Sequence, residues 1–361
     1  METIGSPGLW AGFVAFVVLA LLVDFRLMAA GGPHALSPRE ALRWSAAWIG
    51  LALLFNTGLW WYLRGIVPHE DARRIAFEFL TGYLVEKSLA VDNIFVFLML
   101  FTYFKVPAPS QQRVLAWGVL GAIGLRAILI FIGAALLARF HWLLYVFGAF
   151  LLLTGVKMLW AAGQQPDLDR NPLLRWLTAH LPLTSGYHGE RLWLSAADLP
   201  PGAAQLRDGG VAGARAVANA HASGAARYYT PLFVVLVMIG ITDVIFAVDS
   251  IPAIFAITTD PFIVLSSNVF AVLGLRALYF LLADMAGRFH LLSVGLAGVL
   301  VFIGAKMLLV DWVKIPVLLA LAVVGCLIGG AIALSLLRPA AAPPGPTAPA
   351  QETPQQPGDG A

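Results

Sequence analysis

Long apolar runs dominate this chain, separated by short polar turns that carry Pro68, Pro107, Pro109, Pro261 and Pro316. A membrane-spanning helix needs about 20 mostly apolar residues. Nine stretches reach that length, near residues 8–28, 43–63, 76–104, 112–137, 141–161, 230–257, 262–285, 289–310 and 315–337. The pattern predicts an all-α polytopic membrane protein with about nine transmembrane helices. The first run follows Met-Glu-Thr-Ile-Gly with no basic segment and no cleavage site, so it reads as a retained helix rather than a signal peptide.

Two regions depart from this pattern. Residues 162–229 form one long loop, polar at its start and rich in Ala and Gly from Pro200 to Ala226, where flexibility is expected. Residues 339–361 consist largely of Pro, Ala, Gln and Gly and predict a disordered tail. The chain therefore divides into helices one to five (1–161), a cytoplasmic loop (162–229), helices six to nine (230–338) and the tail (339–361).

Composition strengthens the membrane reading. The chain is 60% hydrophobic and 12% charged, where a soluble domain carries about 25% charged residues. One cysteine excludes a disulfide framework and a cysteine-based metal cluster. The net charge of +3 reports topology rather than nucleic-acid binding. With the N-terminus outside, Arg26, Arg39, Arg43, Lys105, Arg113, Arg288, Arg338 and six arginines of the long loop are cytoplasmic. Arg64, Arg73, Arg74, Arg139 and Lys314 then face outward. The excess of basic residues inside favours N-terminus out and C-terminus in.

An internal repeat runs through the apolar stretches. Glu86-Lys-Ser-Leu-Ala-Val-Asp92-Asn93 matches Asp243-Val-Ile-Phe-Ala-Val-Asp249-Ser250 at an offset of 157. Gly124-Leu-Arg126-Ala matches Gly274-Leu-Arg276-Ala at 150, and Gly155-Val-Lys157-Met matches Gly304-Ala-Lys306-Met at 149. Helices three to five thus correspond to helices six to eight. Three spans per unit is an odd number, so the second unit enters the membrane from the opposite side. Inverted repeats of this kind mark secondary transporters, whose sites lie near the midplane between the repeats.

Carboxylates in a bilayer are costly, about 2.5–3.5 kcal/mol each even on the lenient insertion scale. Two matched pairs of them point to use. Asp92 and Asn93 are expected to face Asp249 and Ser250 at the centre, with Glu86 and Asp243 about two turns away along the pathway. Pro252 cannot donate to the Val248 carbonyl and predicts a break in helix six beside Asp249. Carboxylate, amide, hydroxyl and carbonyl oxygens suit Mg²⁺, Ca²⁺ or Mn²⁺ over softer metals, and such acids can exchange the metal for protons. The bland alternative is ion pairing among the embedded acids (Asp24, Glu78, Glu86, Asp92, Asp243, Asp249 and Asp284) and bases (Lys87, Arg126, Lys157, Arg276 and Lys306). Lys87, Arg126 and Arg276 read as ion-pair partners that orient the acids, and Ser266, Ser267 and Asn268 as an extension of the polar path or as helix–helix hydrogen bonds. An intramembrane aspartyl protease fits poorly, because Phe-Ala-Val rather than Gly-x-Gly precedes Asp249.

The segments Phe79–Phe97, Thr242–Ile257, Asp260–Val264 and Ser267–Phe280 resemble the TerC family of bacterial and plastid membrane proteins, including its Alx-type members. The likeness extends over residues 8–338. It implies a manganese exporter of the bacterial inner membrane, with Mn²⁺ as substrate, no resident cofactor and no enzymatic activity. It maps the family's membrane acids onto Asp92, Asp243 and Asp249, with Glu86 and Asn93 beside them. The family pattern commonly has Glu three residues before the residue matching Asp243, and this chain has Gly240 there. That difference bears on metal preference and proton coupling. Besides the divalent cation, the expected partners are protons and the lipid bilayer, with no nucleic acid. A non-transporting assembly or metal-loading factor is the alternative.

Overall fold

The computed structural model describes residues 3–31, 37–140, 142–160, 171–184, 186–189, 191–195, 227–283, 291–313 and 315–337; the side chains of residues 27–31, Asp92, Phe95, Arg227 and Asp249 lie outside that description. The expected flexible stretch Pro200–Ala226 and the tail 339–361 also lie outside the described residues.

Helices account for almost all of the described chain. They are α1 (Pro7–Gly31), α2 (Pro38–Leu63), α3 (His69–Tyr103), α4 (Ala108–Arg139), α5 (Leu143–Trp160) and the short α6 (Pro172–His180). Two short strands follow, β1 (Trp193–Ser195) and β2 (Arg227–Tyr229), and then α7 (Pro231–Phe255), α8 (Pro261–Val272), α9 (Leu275–Ala283), α10 (Leu292–Leu308) and α11 (Val317–Leu337). Prolines open several of these helices because the missing N–H falls where no intrahelical bond is made. Before α2, Ser37 and Glu40 form a reciprocal capping box around Pro38. Before α8, the Asp260 carboxylate accepts from Phe262 N at 2.8 Å and also from Ile4 N at 2.7 Å, which ties the N-terminal segment to this turn.

Among the described residues, six helices are long and apolar enough to cross a membrane, or seven if the bent pair α8 and α9 is one span. The long α3 misses that standard through charges that include Glu78, Glu86 and Lys87, and α10 is a 17-residue apolar helix. The chain is an all-α polytopic membrane protein.

Two local expectations change. Helix α7 does not break at Pro252 but runs through it to Phe255. Pro252 sits in the final turn, so the lost hydrogen bond costs little continuity. The break lies instead in the next span. The stretch expected as one helix over 262–285 divides at Leu273–Gly274, with a 41° bend between α8 and α9. Gly274 has φ +80, and a Cβ there would lie 2.5 Å from Trp48 Cδ1. Both the backbone conformation and the close approach of Trp48 therefore require glycine.

Helices α5 and α10 pack through matched glycines. A Cβ added at Gly148 would lie 3.1 Å from Gly304 O, and one at Gly155 would lie 2.9 Å from Ala297 O. A Cβ at Gly304 would lie 2.6 Å from Leu152 N, and one at Gly155 would lie 2.8 Å from Val301 Cγ2. An offset of 149 converts the first contact of each kind into the second with its partners exchanged. Numbers rise along α5 as they fall along α10, so the two helices pack antiparallel about a local two-fold. Small residues permit this backbone approach.

The described residues of the long loop pack against the helices. Asn171 caps α6 by accepting from Leu173 N at 2.9 Å and Leu174 N at 3.3 Å. Leu174, Leu177 and Leu183 pack into the cluster that contains Phe97 and Phe101 of α3 and Leu232 of α7. Strands β1 and β2 pair antiparallel, and Tyr187 donates to Phe104 O at 2.6 Å.

Candidate functional site

The repeat-matched acids converge on one arginine. Glu86 of α3, fully buried, pairs with Arg126 Nη1. Asp243 of α7 receives Arg126 Nη2 at 3.1 Å. Arg126 Nη1 also donates to Asn268 Oδ1 of α8 at 2.9 Å. Arg126 itself is 2% exposed and lies on α4, so one guanidinium joins four helices in the middle of the bundle. Its planar fork suits this role, since it presents several donors in fixed directions.

Several buried oxygens on α3 and α7 lack partners. Glu86 Oε2, Asp243 Oδ2, Asn93 Oδ1 and Ser250 Oγ are buried without a hydrogen bond. Seven residues separate Glu86 from Asn93 and Asp243 from Ser250, which is close to two full turns and keeps each pair on one helix face. The expected geometry had Asp92 and Asn93 facing Asp249 and Ser250, with Glu86 and Asp243 farther out. The structure joins Glu86 to Asp243 through Arg126. The side chains of Asp92 and Asp249 are outside the description, next to Asn93 and Ser250 in α3 and α7. Among the described residues no three His, Cys, Asp or Glu side chains cluster as a metal site.

The other expected ion-pair residues have different partners. Lys87 Nζ donates to Ala271 O at 3.0 Å and Leu273 O at 3.4 Å rather than to an acid. Those carbonyls lie at the end of α8, where the break at Gly274 removes their helical partners, and a cation there also complements the helix dipole. Lys306 donates in the same way to Ala256 O at 3.2 Å, at the end of α7. Arg276, the repeat partner of Arg126, bonds Asp24 of α1 at 2.7 Å and not the central acids. Position 240 is exposed, and a Cβ there would meet nothing within 4 Å. The glutamate expected by resemblance would therefore point away from the buried centre.

A second polar zone adjoins the first. A cavity of about 740 Å³ lies among the first turns of α3, the end of α7, the start of α8 and the end of α10, lined by Arg74, Glu78, Thr258, Asp260 and Lys306 among others. Glu78 is 7% exposed and its carboxylate is 3.5 Å from Arg74. One turn on from Glu78, Gly82 leaves space that Ser267 Oγ approaches, 3.0 Å from where a Cβ would stand. One further turn brings Glu86, so acids and a hydroxyl follow one side of α3 from the cavity to Arg126. Asn268, expected either to extend the polar path or to bond between helices, reaches the centre through Arg126. Sequence reasoning did not single out Glu78, whose signal is its spacing of eight residues from Glu86, about two turns on the same side of α3.

The model of the Integral membrane protein TerC family matches residues 72–342, which include both acid pairs and both Gly-Leu-Arg-Ala segments. The chain belongs to the TerC family. A relative from Salmonella typhi, named "Putative membrane-bound redox modulator Alx", is 51% identical over 324 residues, covering 90% of this chain and 92% of its own length. The protein of the same name from Escherichia coli (strain K12) is 50% identical over the same shares. A Myxococcus xanthus membrane protein is 44% identical over 346 residues, covering 95% of this chain and 97% of its own. No solved structure matches the chain. The Arg126 centre of this TerC protein thus lies wholly inside the matched region, while α1 and α2 precede it.

Proposed function

We propose that this TerC protein is a secondary transporter that exports a divalent metal ion, manganese foremost, from the bacterial cytoplasm across the inner membrane. The observation that carries the reading is the meeting of Glu86 and Asp243, matched acids of two repeat units, at one buried arginine with further unpartnered oxygens nearby. A polar centre of this cost inside an apolar bundle is expected to serve ions. The antiparallel, two-fold packing of α5 against α10 supports two inverted units of three helices, helices three to five and six to eight of nine, with the site between them. Asp92, Asn93, Asp249 and Ser250 extend the oxygen set from the same turns.

With the N-terminus outside and the C-terminus inside, the cavity beside Glu78 opens to the exterior and forms the exit vestibule. Carboxylates along α3 then take protons as the metal leaves, giving antiport. The 162–229 loop is cytoplasmic in this orientation. The reading makes the protein a carrier and not an enzyme. The name of its relatives speaks of redox modulation, but the single cysteine, Cys326, cannot form an intramolecular disulfide. Thiol exchange within one chain is therefore not its chemistry.

The test is manganese content in a manganese-sensitive bacterial host. The wild-type chain is expected to lower it. Glu86→Gln, Asp92→Asn, Asp243→Asn and Asp249→Asn, each at unchanged protein level, should leave manganese as high as in cells lacking the protein. Full efflux from all four variants would sink the site. Transport in proteoliposomes across a panel of divalent ions fixes the selectivity.

A further inference from the structure

Arg126 stands between Glu86 and Asp243, two of the acids assigned above to the transported cation. Its guanidinium holds Glu86 and Asp243 together and uses Asn268 as a third partner. Two carboxylates balance one divalent cation. With Arg126 in place the pair carries one net negative charge, and adding a divalent ion would leave a buried positive excess, which a low-dielectric interior disfavours. Metal and Arg126 are therefore alternatives at the Glu86–Asp243 pair.

A second observation shows how the arginine could leave. The tetrapeptide Gly-Leu-Arg-Ala occurs twice, at 124–127 and 274–277. In α4 it is continuous helix, and its arginine points to the acids. In the second copy the chain breaks at Gly274, with φ +80, and its arginine is turned onto Asp24. One local sequence thus adopts two conformations in one molecule, with the arginine engaged in one and withdrawn in the other. Gly274 needs to be glycine where it stands. Gly124 does not, because a Cβ there would meet nothing within 4 Å.

We propose that Arg126 is a tethered counter-cation that occupies the acid pair between loads, and that metal enters when α4 breaks at Gly124 as its repeat partner already breaks at Gly274. Gating of one repeat against the other around a fixed site is the general route of alternating access, and a glycine hinge supplies the positive φ that the break requires. The inference rests on the transporter reading and names the residue that gates its site. Arg126 is a positioning residue here: it sets when the acids are free and need not touch the metal.

The purified full chain in detergent provides the test, with Mn²⁺ itself as the probe. An occupied site lowers apparent affinity by the fraction of time it is blocked. Arg126→Gln should therefore bind Mn²⁺ tighter, by roughly tenfold or more, while export falls. A merely structural arginine would weaken binding when removed. Gly124→Ala should fold, melt at or above the wild-type temperature, and fail to export. For the hinge itself, spin labels on Leu120→Cys and Ile132→Cys in a Cys326→Ser background straddle Gly124, about 18 Å apart in continuous helix. Mn²⁺ should add a second, shorter distance, and Gly124→Ala should abolish it. Unchanged or weaker binding in Arg126→Gln, or wild-type export by Gly124→Ala, overturns the inference. A wild-type chain that neither binds nor exports Mn²⁺ overturns the transporter reading as well, so the two failures are distinguishable.

Discussion

Among the described residues, Arg126, Arg276, Lys87 and Lys306 reach into the helix bundle, and they find three kinds of partner. Arg126 takes two carboxylates and an amide, Arg276 takes Asp24, and Lys87 and Lys306 take backbone carbonyls at helix ends. The sequence shows which residues are costly in a membrane but not which of them meet, because meeting depends on helix rotation and crossing. Ion pairing of Lys87 with a repeat acid was a reasonable expectation from adjacency to Glu86. The break at Gly274 created a stronger demand, two carbonyls without donors. Replacing Lys87 with methionine keeps the stem and removes those bonds. Lys87→Met should lower stability by about 1–3 kcal/mol, the usual cost of stranding buried carbonyls, measured by thermal unfolding in detergent. An unchanged melting temperature would show that the carbonyls have other donors.

At the scale of elements, the glycines of α5 and α10 bear on the pairing of the two units. Backbone atoms of the facing helix stand within 3 Å of any Cβ at Gly155 or Gly304, so neither side can yield by turning a side chain. Gly304→Ala should separate the helices and cost about 1–3 kcal/mol, whereas Gly298→Ala on the same helix faces only flexible Leu327 carbons at 3.5 Å and 3.8 Å and should be nearly neutral. Equal destabilisation by both would contradict this packing. The two-fold contacts were foreshadowed by the repeated Gly-x-Lys-Met segment. The position of the helix break was not. Pro252 looked like the breaker because proline removes a donor, yet a proline in the last turn has little helix left to interrupt. The break falls at Gly274, whose φ of +80 suits glycine and where Trp48 of α2 occupies the space a side chain would need, a contact invisible before the helices assemble.

Across the whole molecule, the described residues of the long loop are docked on the helices. Half-buried Tyr187 donates to the end of α3, and burial pushes its phenol up from 10.0 to about 12. The folded chain thus holds this proton more tightly than the unfolded chain does. The stabilisation is complete below pH 10 and is lost as pH rises towards 12. Tyr187→Phe should remove the hydrogen bond and this alkaline component, so the melting curves of the two proteins should converge between pH 10 and 12. A gap that stays constant over that range would place the loop's attachment elsewhere.

The sequence by itself determined that this is an all-α polytopic membrane protein of the TerC family, that it is built on matched segments, and that Glu86, Asp92, Asp243 and Asp249 are its costly acids. Those properties depend on apolar run length, on identity at a fixed offset and on the price of charge in hydrocarbon, all of which are local or additive along the chain. Only the tertiary structure decided that Glu86 and Asp243 share Arg126, that Arg276 is held away by Asp24, and that one Gly-Leu-Arg-Ala is continuous while its copy is broken. The tetrapeptides are identical, so their own four residues do not set the difference. The second copy is the one against which α2, through Trp48, and α1, through Asp24, pack. Neither helix belongs to the repeat, so the asymmetry of the site is imposed from outside it.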